Sequence, residues 1–216
     1  MKKLVVFDLD GTLLDTIDDL AHSCDEIMKR HAHPRHSNDE YRSYVGNGVR
    51  KLLERSLPEE YKNDSPYIDA LLAEFLEYYH NHIADHTTIY DGIVEALETI
   101  SSMGINIAVL SNKYHAGTVK LIKTFFPHIT FADVRGQMDG VAIKPSIEAL
   151  VSIMEKCGVS ASETLFVGDT AVDIHTAQNA GVDVVAVCWG FRDESVLKAE
   201  NPTYIAHRAA DILDYL

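Results

Sequence analysis

Apolar positions change their period twice along this chain. Leu4-Val5-Val6-Phe7 is an unbroken apolar run, β-branched and aromatic in character. A run without polar alternation predicts a strand covered on both faces. From residue 17 the spacing becomes helical. Ile17, Leu20, Ala21, Cys24, Ile27 and Met28 recur every three or four residues and make one apolar stripe. His33-Pro34 ends that helix. Ser37-Asn38-Asp39-Glu40 offers the cap of a second one. Gly46-Asn47-Gly48 interrupts it, and Val49, Leu52, Leu53 and Leu57 resume the pattern as far as Pro58. A longer helix is expected over 67–85, carrying Leu71, Leu72, Phe75, Leu76 and Tyr79.

After Tyr90-Asp91-Gly92 strands and helices alternate. The pattern predicts helices over 93–103, 117–126, 146–156 and 172–180. Strands are expected over 105–110, 131–134, 165–167, 184–187 and 204–206. Repeated strand-helix units predict an α/β fold with a doubly wound, Rossmann-like parallel sheet. The expected layout is a core of 1–14 and 88–216, interrupted after its first strand by a helical cap of 15–87. No internal repeat, low-complexity tract or coiled-coil heptad appears.

Composition narrows the choice. The chain has 216 residues, 19 Lys plus Arg against 33 Asp plus Glu, and a formal charge of −14. That balance lacks the basic footprint of a nucleic-acid binder. It also repels anionic substrates at long range, so a phosphorylated substrate would need a metal and local cations. No apolar stretch of about 18 residues predicts a membrane span. The N-terminus enters the first strand without a signal-peptide layout, so a cytoplasmic address is expected. Three scattered cysteines, Cys24, Cys157 and Cys188, predict buried packing residues rather than disulfides or a zinc site. His31, His33 and His36 crowd one segment but fit no standard metal spacing, so a solvated loop is expected there.

The candidate chemistry begins at Asp8 and Asp10, directly after the first strand and before Gly11-Thr12. Residues two apart on a strand point the same way, so both carboxylates should project together. Such a pair needs a cation or a shared proton. One can attack as a nucleophile while the other moves protons. The competing reading, an Asp-Gly hairpin turn, lacks a complementary alternating strand. Three later segments carry polar residues at or near strand ends: Ser111-Asn112-Lys113, Lys144-Pro145, and Gly168-Asp169-Thr170-Ala171-Val172-Asp173. Taken singly, these read equally as turn chemistry, a solvated lysine before a Pro-started helix, and helix capping.

Together, their order resembles the four motifs of the haloacid dehalogenase superfamily in its phosphatase branch, with Asp8-Leu9-Asp10-Gly11-Thr12-Leu13-Leu14-Asp15-Thr16 as the first. The resemblance covers the whole chain. It implies Asp8 as nucleophile, Asp10 as general acid and base, and Lys144 neutralising the nucleophile and the phosphoryl group. It implies magnesium (Mg2+) held by Asp8, the Asp10 carbonyl and Asp169, with Asp173 orienting the metal's shell or Lys144. Thr12, Ser111, Asn112 and backbone N–H groups near Leu9 would receive phosphate oxygens. Val45-Gly46-Asn47-Gly48 is similar to a cap segment of phosphoglycolate phosphatases, which makes Asn47 and Arg50 candidates for reading the substrate. The expected partner is a small phosphorylated metabolite, 2-phosphoglycolate first, with another phosphate monoester, such as a sugar phosphate or pyridoxal phosphate, nearly level. A phosphosugar mutase or a pyrophosphatase remains an alternative. No nucleic-acid or membrane partner is expected, and the chain is expected as a monomer or homodimer.

Overall fold

All four residues of β1 (Leu4–Phe7) are fully buried, as the unbroken apolar run requires. In the computed structural model, which describes residues 1–216, the chain divides into two compact units. One comprises Met1–Asp15 and Ile89–Leu216, and the other Thr16–Thr88.

The second unit is helical: α1 (Ile17–Arg30), α2 (Asn38–Tyr44), α3 (Val49–Ser56) and α4 (Ser65–His82). The predicted stripe of α1 is the face it buries. Ser37 caps α2 reciprocally with Glu40. Asp64 caps α4, and Pro66 sits in its first turn, so that helix starts before 67 and ends before 85. The histidine-rich segment is a loop with Ala32, Pro34 and Arg35 exposed, but its three histidines are half-buried and engaged. His31 pairs with Glu74 at 3.0 Å, His33 with the Tyr67 hydroxyl at 2.7 Å, and His36 with the Ser56 carbonyl at 2.8 Å. His33 packs edge-on against Tyr61 and Tyr67, and His36 against Tyr41 and Tyr44. These rings tie the α1–α2 connection to α3 and α4, an effect that helical periodicity cannot register.

The first unit continues with β2 (Asn106–Tyr114), β3 (Asp133–Gln137), β4 (Thr164–Gly168), β5 (Asp183–Val187) and β6 (Tyr204–Ala206). All six strands are parallel, in the order β3-β2-β1-β4-β5-β6. Its helices are α5 (Ile93–Ser102), α6 (His115–Phe125), α7 (Glu148–Cys157), α8 (Ala171–Ala180) and α9 (Glu194–Ala199). Leu4 and Val6 join one core cluster with Leu150 and Ile153 of α7, Ile174 and Ala177 of α8, and Leu197 of α9. Helices α5 and α6 also lie against β2. The strand order reverses at β1, which is where open parallel sheets place their ligands.

Three differences from the sequence reading bear on the site. β2 runs on to Tyr114 instead of ending at 110, and its register with β3 shifts between Leu110 and Tyr114. Ser111-Asn112-Lys113 therefore lies within an irregular strand end. Helix α7 starts at Glu148, so Pro145 precedes it and does not occupy its first position; the Lys144-Pro145 bond is cis. Finally, only Cys24 is buried; Cys157 and Cys188 are half-buried, and all three are free thiols.

Candidate active site

Phe7 is level with Val109 of β2 and with Val167 of β4. The polar residues after these positions consequently meet at one edge of the sheet. The Asp8 N–H donates to the Val167 carbonyl at 2.9 Å. The Asp8 carboxylate accepts the Leu9 N–H at 2.7 Å and faces the Lys144 ammonium at 2.9 Å. Lys144 also donates to Asp173 at 2.6 Å, with its ammonium 5.6 Å from the Phe166 ring centre. The other Asp173 oxygen accepts the N–H and hydroxyl of Thr170, at 3.0 and 2.7 Å, and so caps α8. Asp173 thus anchors Lys144 and the helix start together. Asp169 accepts the Thr12 hydroxyl at 3.2 Å and the Phe191 N–H at 2.8 Å.

Burial makes these charges consequential. Asp8, Asp169, Asp173 and Lys144 are between 0 and 8 % exposed. Desolvation pushes the Asp8 carboxyl up to about 7, against the pull of Lys144 and with the charges of Asp173 and Asp10 adding to it. Desolvation likewise raises Asp169, helped by Asp173 and Asp8. Burial alone would lower Lys144, but Asp173 and Asp8 outweigh it and hold the ammonium above its ordinary range.

These residues fit a divalent cation. Asp8, Asp169 and Asp173 each offer a carboxylate oxygen, all within 4.8 Å of one another. With Lys144 as the compensating cation among them, three ionised carboxylates leave two negative charges in a buried site. One hard dication with a preference for oxygen donors restores the balance.

The sequence reading did not single out the segment after β5. Trp189 donates its indole N–H to the Thr12 carbonyl at 3.0 Å, and Phe191 supplies the N–H on Asp169. Gly190 lies so close to Asp169 and to the Gly11 carbonyl that a Cβ would collide with both. Gly11, at φ +80°, would equally strike the Asp169 carboxylate with a side chain. The signal available was positional: the chain's single Trp, followed by Gly-Phe, stands just past the end of a predicted parallel strand.

Several expected phosphate contacts are engaged within the protein. The Thr12 hydroxyl is on Asp169. The Asn112 amide donates to the Lys144 carbonyl at 3.1 Å and accepts the Lys144 N–H at 2.9 Å, clamping that backbone. Ser111 Oγ accepts the Lys113 N–H at 3.3 Å. Asp10 pairs with Lys113, at 2.8 and 3.1 Å from its two oxygens. In the helical unit, Arg50 donates to Asp69 and Ser65, and Asn47 accepts from Arg55 at 2.8 Å.

A buried acidic cluster and a lysine thus stand at the switch point of a parallel α/β sheet. The haloacid dehalogenase-like hydrolase family model matches residues 5–187. The chain belongs to that family. It is 33% identical over 207 residues to a phosphoglycolate phosphatase of Mesorhizobium japonicum, covering 95% of this chain and 91% of that protein. It is 32% identical over 216 residues to a phosphoglycolate phosphatase of Vibrio parahaemolyticus, covering 98% and 95%. A solved structure from Haemophilus somnus, described as a predicted phosphoglycolate phosphatase, superposes with a TM-score of 0.91 at 28% identity, covering 99% of this chain and 97% of that one.

Proposed function

We propose that this protein is a magnesium-dependent phosphatase of small phosphate monoesters, with 2-phosphoglycolate the first candidate substrate, acting through an aspartyl phosphate on Asp8. The observation that carries the reading is the Lys144 ammonium held between Asp8 and Asp173 beside Asp169. This arrangement neutralises a nucleophilic carboxylate and an arriving phosphoryl group at the end of the central strand. The names of the relatives support the choice of phosphoglycolate.

Asp8 and Asp169, with the Asp10 carbonyl, would hold the cation, and Asp173 would anchor Lys144. The bound cation would supply charge neutralisation for the carboxylates and for phosphate oxygens. An Asp8 oxygen attacks phosphorus, and the bond from phosphorus to the ester oxygen breaks. The electron pair goes to that oxygen, which takes the proton of Asp10 and leaves as an alcohol. Water then attacks the phosphorus of the aspartyl phosphate while Asp10, now a carboxylate, removes a water proton. The Asp8–phosphorus bond breaks, phosphate departs, and Asp10 is protonated again. Lys144 offsets negative charge in both steps. The helical unit would act as a cap that selects the group beyond phosphate.

A panel of phosphate esters at fixed magnesium, read as free phosphate, tests the assignment. Phosphoglycolate should give the highest kcat/KM. A sugar phosphate isomerised without release of free phosphate would overturn the phosphatase reading.

A further inference from the structure

Two buried lysines reach the acidic edge of the sheet, and each serves a different aspartate of the first motif. Lys144 faces Asp8, whereas Lys113 faces Asp10. The Lys113 side chain is 1 % exposed and its ammonium lies within 3.1 Å of both Asp10 oxygens. Its backbone is fixed as well. The Lys113 N–H donates to Ser111 Oγ, and its carbonyl accepts the Thr118 hydroxyl at 3.3 Å. Gly136 of β3 leaves room for that carbonyl, since a Cβ there would collide with it. The irregular end of β2 therefore distributes two tasks. Asn112 clamps the backbone of Lys144, and the next residue sends its own ammonium to Asp10.

We propose that Lys113 is a positioning residue that holds the Asp10 carboxylate in place for hydrolysis of the aspartyl phosphate. This rests on the two-step reading above. Asp10 lies beyond the end of β1, directly before the Gly11 turn, and the Lys113 ammonium reaches both of its oxygens from the far end of β2. The second step requires a carboxylate aimed at water, and a small misplacement of a base costs much of its effect. An ammonium bonded to both oxygens holds the ionised form in one orientation. Lys113 acts through Asp10 and forms no bond in either step.

The test uses 4-nitrophenyl phosphate, whose leaving group departs without protonation. Attack by Asp8 should then proceed in Lys113→Met, and only the second step should slow. The expected result is a rapid burst of nitrophenolate approaching one per active site, followed by steady turnover about 10²-fold below wild type, within the range of positioned proton transfer. Acid-quenched protein should carry phosphate on Asp8. Lys113→Arg should restore part of the steady rate. The double variant Asp10→Asn with Lys113→Met should be no slower than Asp10→Asn alone, because the lysine's effect passes through the aspartate. Lys113→Gln serves as the same test if Lys113→Met does not fold.

Wild-type turnover without a burst would overturn the proposal, as would losses that multiply in the double variant. A loss confined to KM for carboxylate-bearing substrates would also overturn it, making Lys113 a substrate anchor. Asp10→Asn separates the two levels. If it accumulates phosphoenzyme while Lys113→Met does not, Lys113 alone is misassigned. If Asp10→Asn itself accumulates none, Asp10 is not the base and the two-step reading fails with it.

Discussion

The same residue types obey different rules in the two units. At the sheet edge the Lys144 side chain is 2 % exposed, between Asp8 and Asp173 at 11 and 0 %. On the helical unit the Arg50 side chain is 40 % exposed, and its partner Asp69 is 61 % exposed. Water screens the second pair, and exposed pairs contribute about 0–1 kcal/mol. The first set has no such screen, so removing its lysine leaves the carboxylates buried and uncompensated. In a chain of net charge −14, the sheet edge pairs two buried lysines with three aspartates, and with Asp169 beside them the cluster keeps an excess of carboxylates for a cation to offset.

The largest effect that could break this contrast is Asp8→Asn. It removes the nucleophile itself, so turnover should fall by more than the roughly 10²–10⁴-fold attached to proton transfer alone. Folding should persist, because Asn keeps the shape. In chelator at pH 8 the variant should melt no lower than wild type, since it relieves one carboxylate that burial disfavours. Substantial turnover in a homogeneous sample would sink the assignment.

Lys144→Met comes next. It should abolish most activity and destabilise the protein by about 3–5 kcal/mol in urea unfolding, the cost of leaving a buried charge without its partner. A loss below about 1 kcal/mol would place the core lysine under the same rules as the surface ones.

pH offers a third handle, without mutation. The Asp8 carboxyl stands at about 7 in the folded protein against a usual 3.8. The folded state then binds the proton more tightly than the unfolded chain. That stability is fully present below about 3.8 and is lost as pH rises through about 7. In chelator the melting temperature should therefore fall between pH 5 and 8. Magnesium should reverse the fall and should bind more tightly as pH rises, because protons compete for its ligands. A melting temperature that climbs over this range in chelator would contradict the crowding of Asp8 with Asp169 and Asp173.

The fold was legible because β1, β4, β5 and the first half of β2 each hold an apolar run bounded by Gly, Pro or polar turns, whereas the edge strand β3, with Val134 as its one apolar side chain, was expected over 131–134 and runs over Asp133–Gln137. Leu4-Val5-Val6-Phe7 needed no partner to be recognised as buried. The aspartates at its end drew notice by their spacing of two, a strand property, although β1 ends at Phe7 and the two carboxylates meet different lysines. What stayed hidden depends on contacts distant in sequence. Lys113 and Asp10 are 103 residues apart, and Phe191 and Asp169 are 22 apart with a helix between them. Gly190 reads as an ordinary loop glycine until Asp169 is seen against it. The histidines of the helical unit had no periodic signature because they bond sideways to Glu74, Tyr67 and Ser56.

The smallest expected effects fall on Asn47 and Arg50, and they sharpen the comparison most finely. Both are engaged within their own unit: Arg50 on Asp69 and Ser65, Asn47 on Arg55, which also donates to the Tyr44 carbonyl. Arg50→Ala should cost less than about 1 kcal/mol of stability, as an exposed pair does. Asn47→Ala removes a hydrogen bond beside the Gly46-Asn47-Gly48 turn, worth about 0.5–1.5 kcal/mol. If this unit reads the organic group, that loss should appear as a rise of roughly 2–10-fold in KM for phosphoglycolate. An aryl phosphate makes few contacts beyond phosphorus, so its kcat/KM should hold. Both substrates should be measured with each variant. Equal losses on the two would mean that these side chains shape the helical unit without reading the substrate, and the selection attributed to this unit would then need other residues.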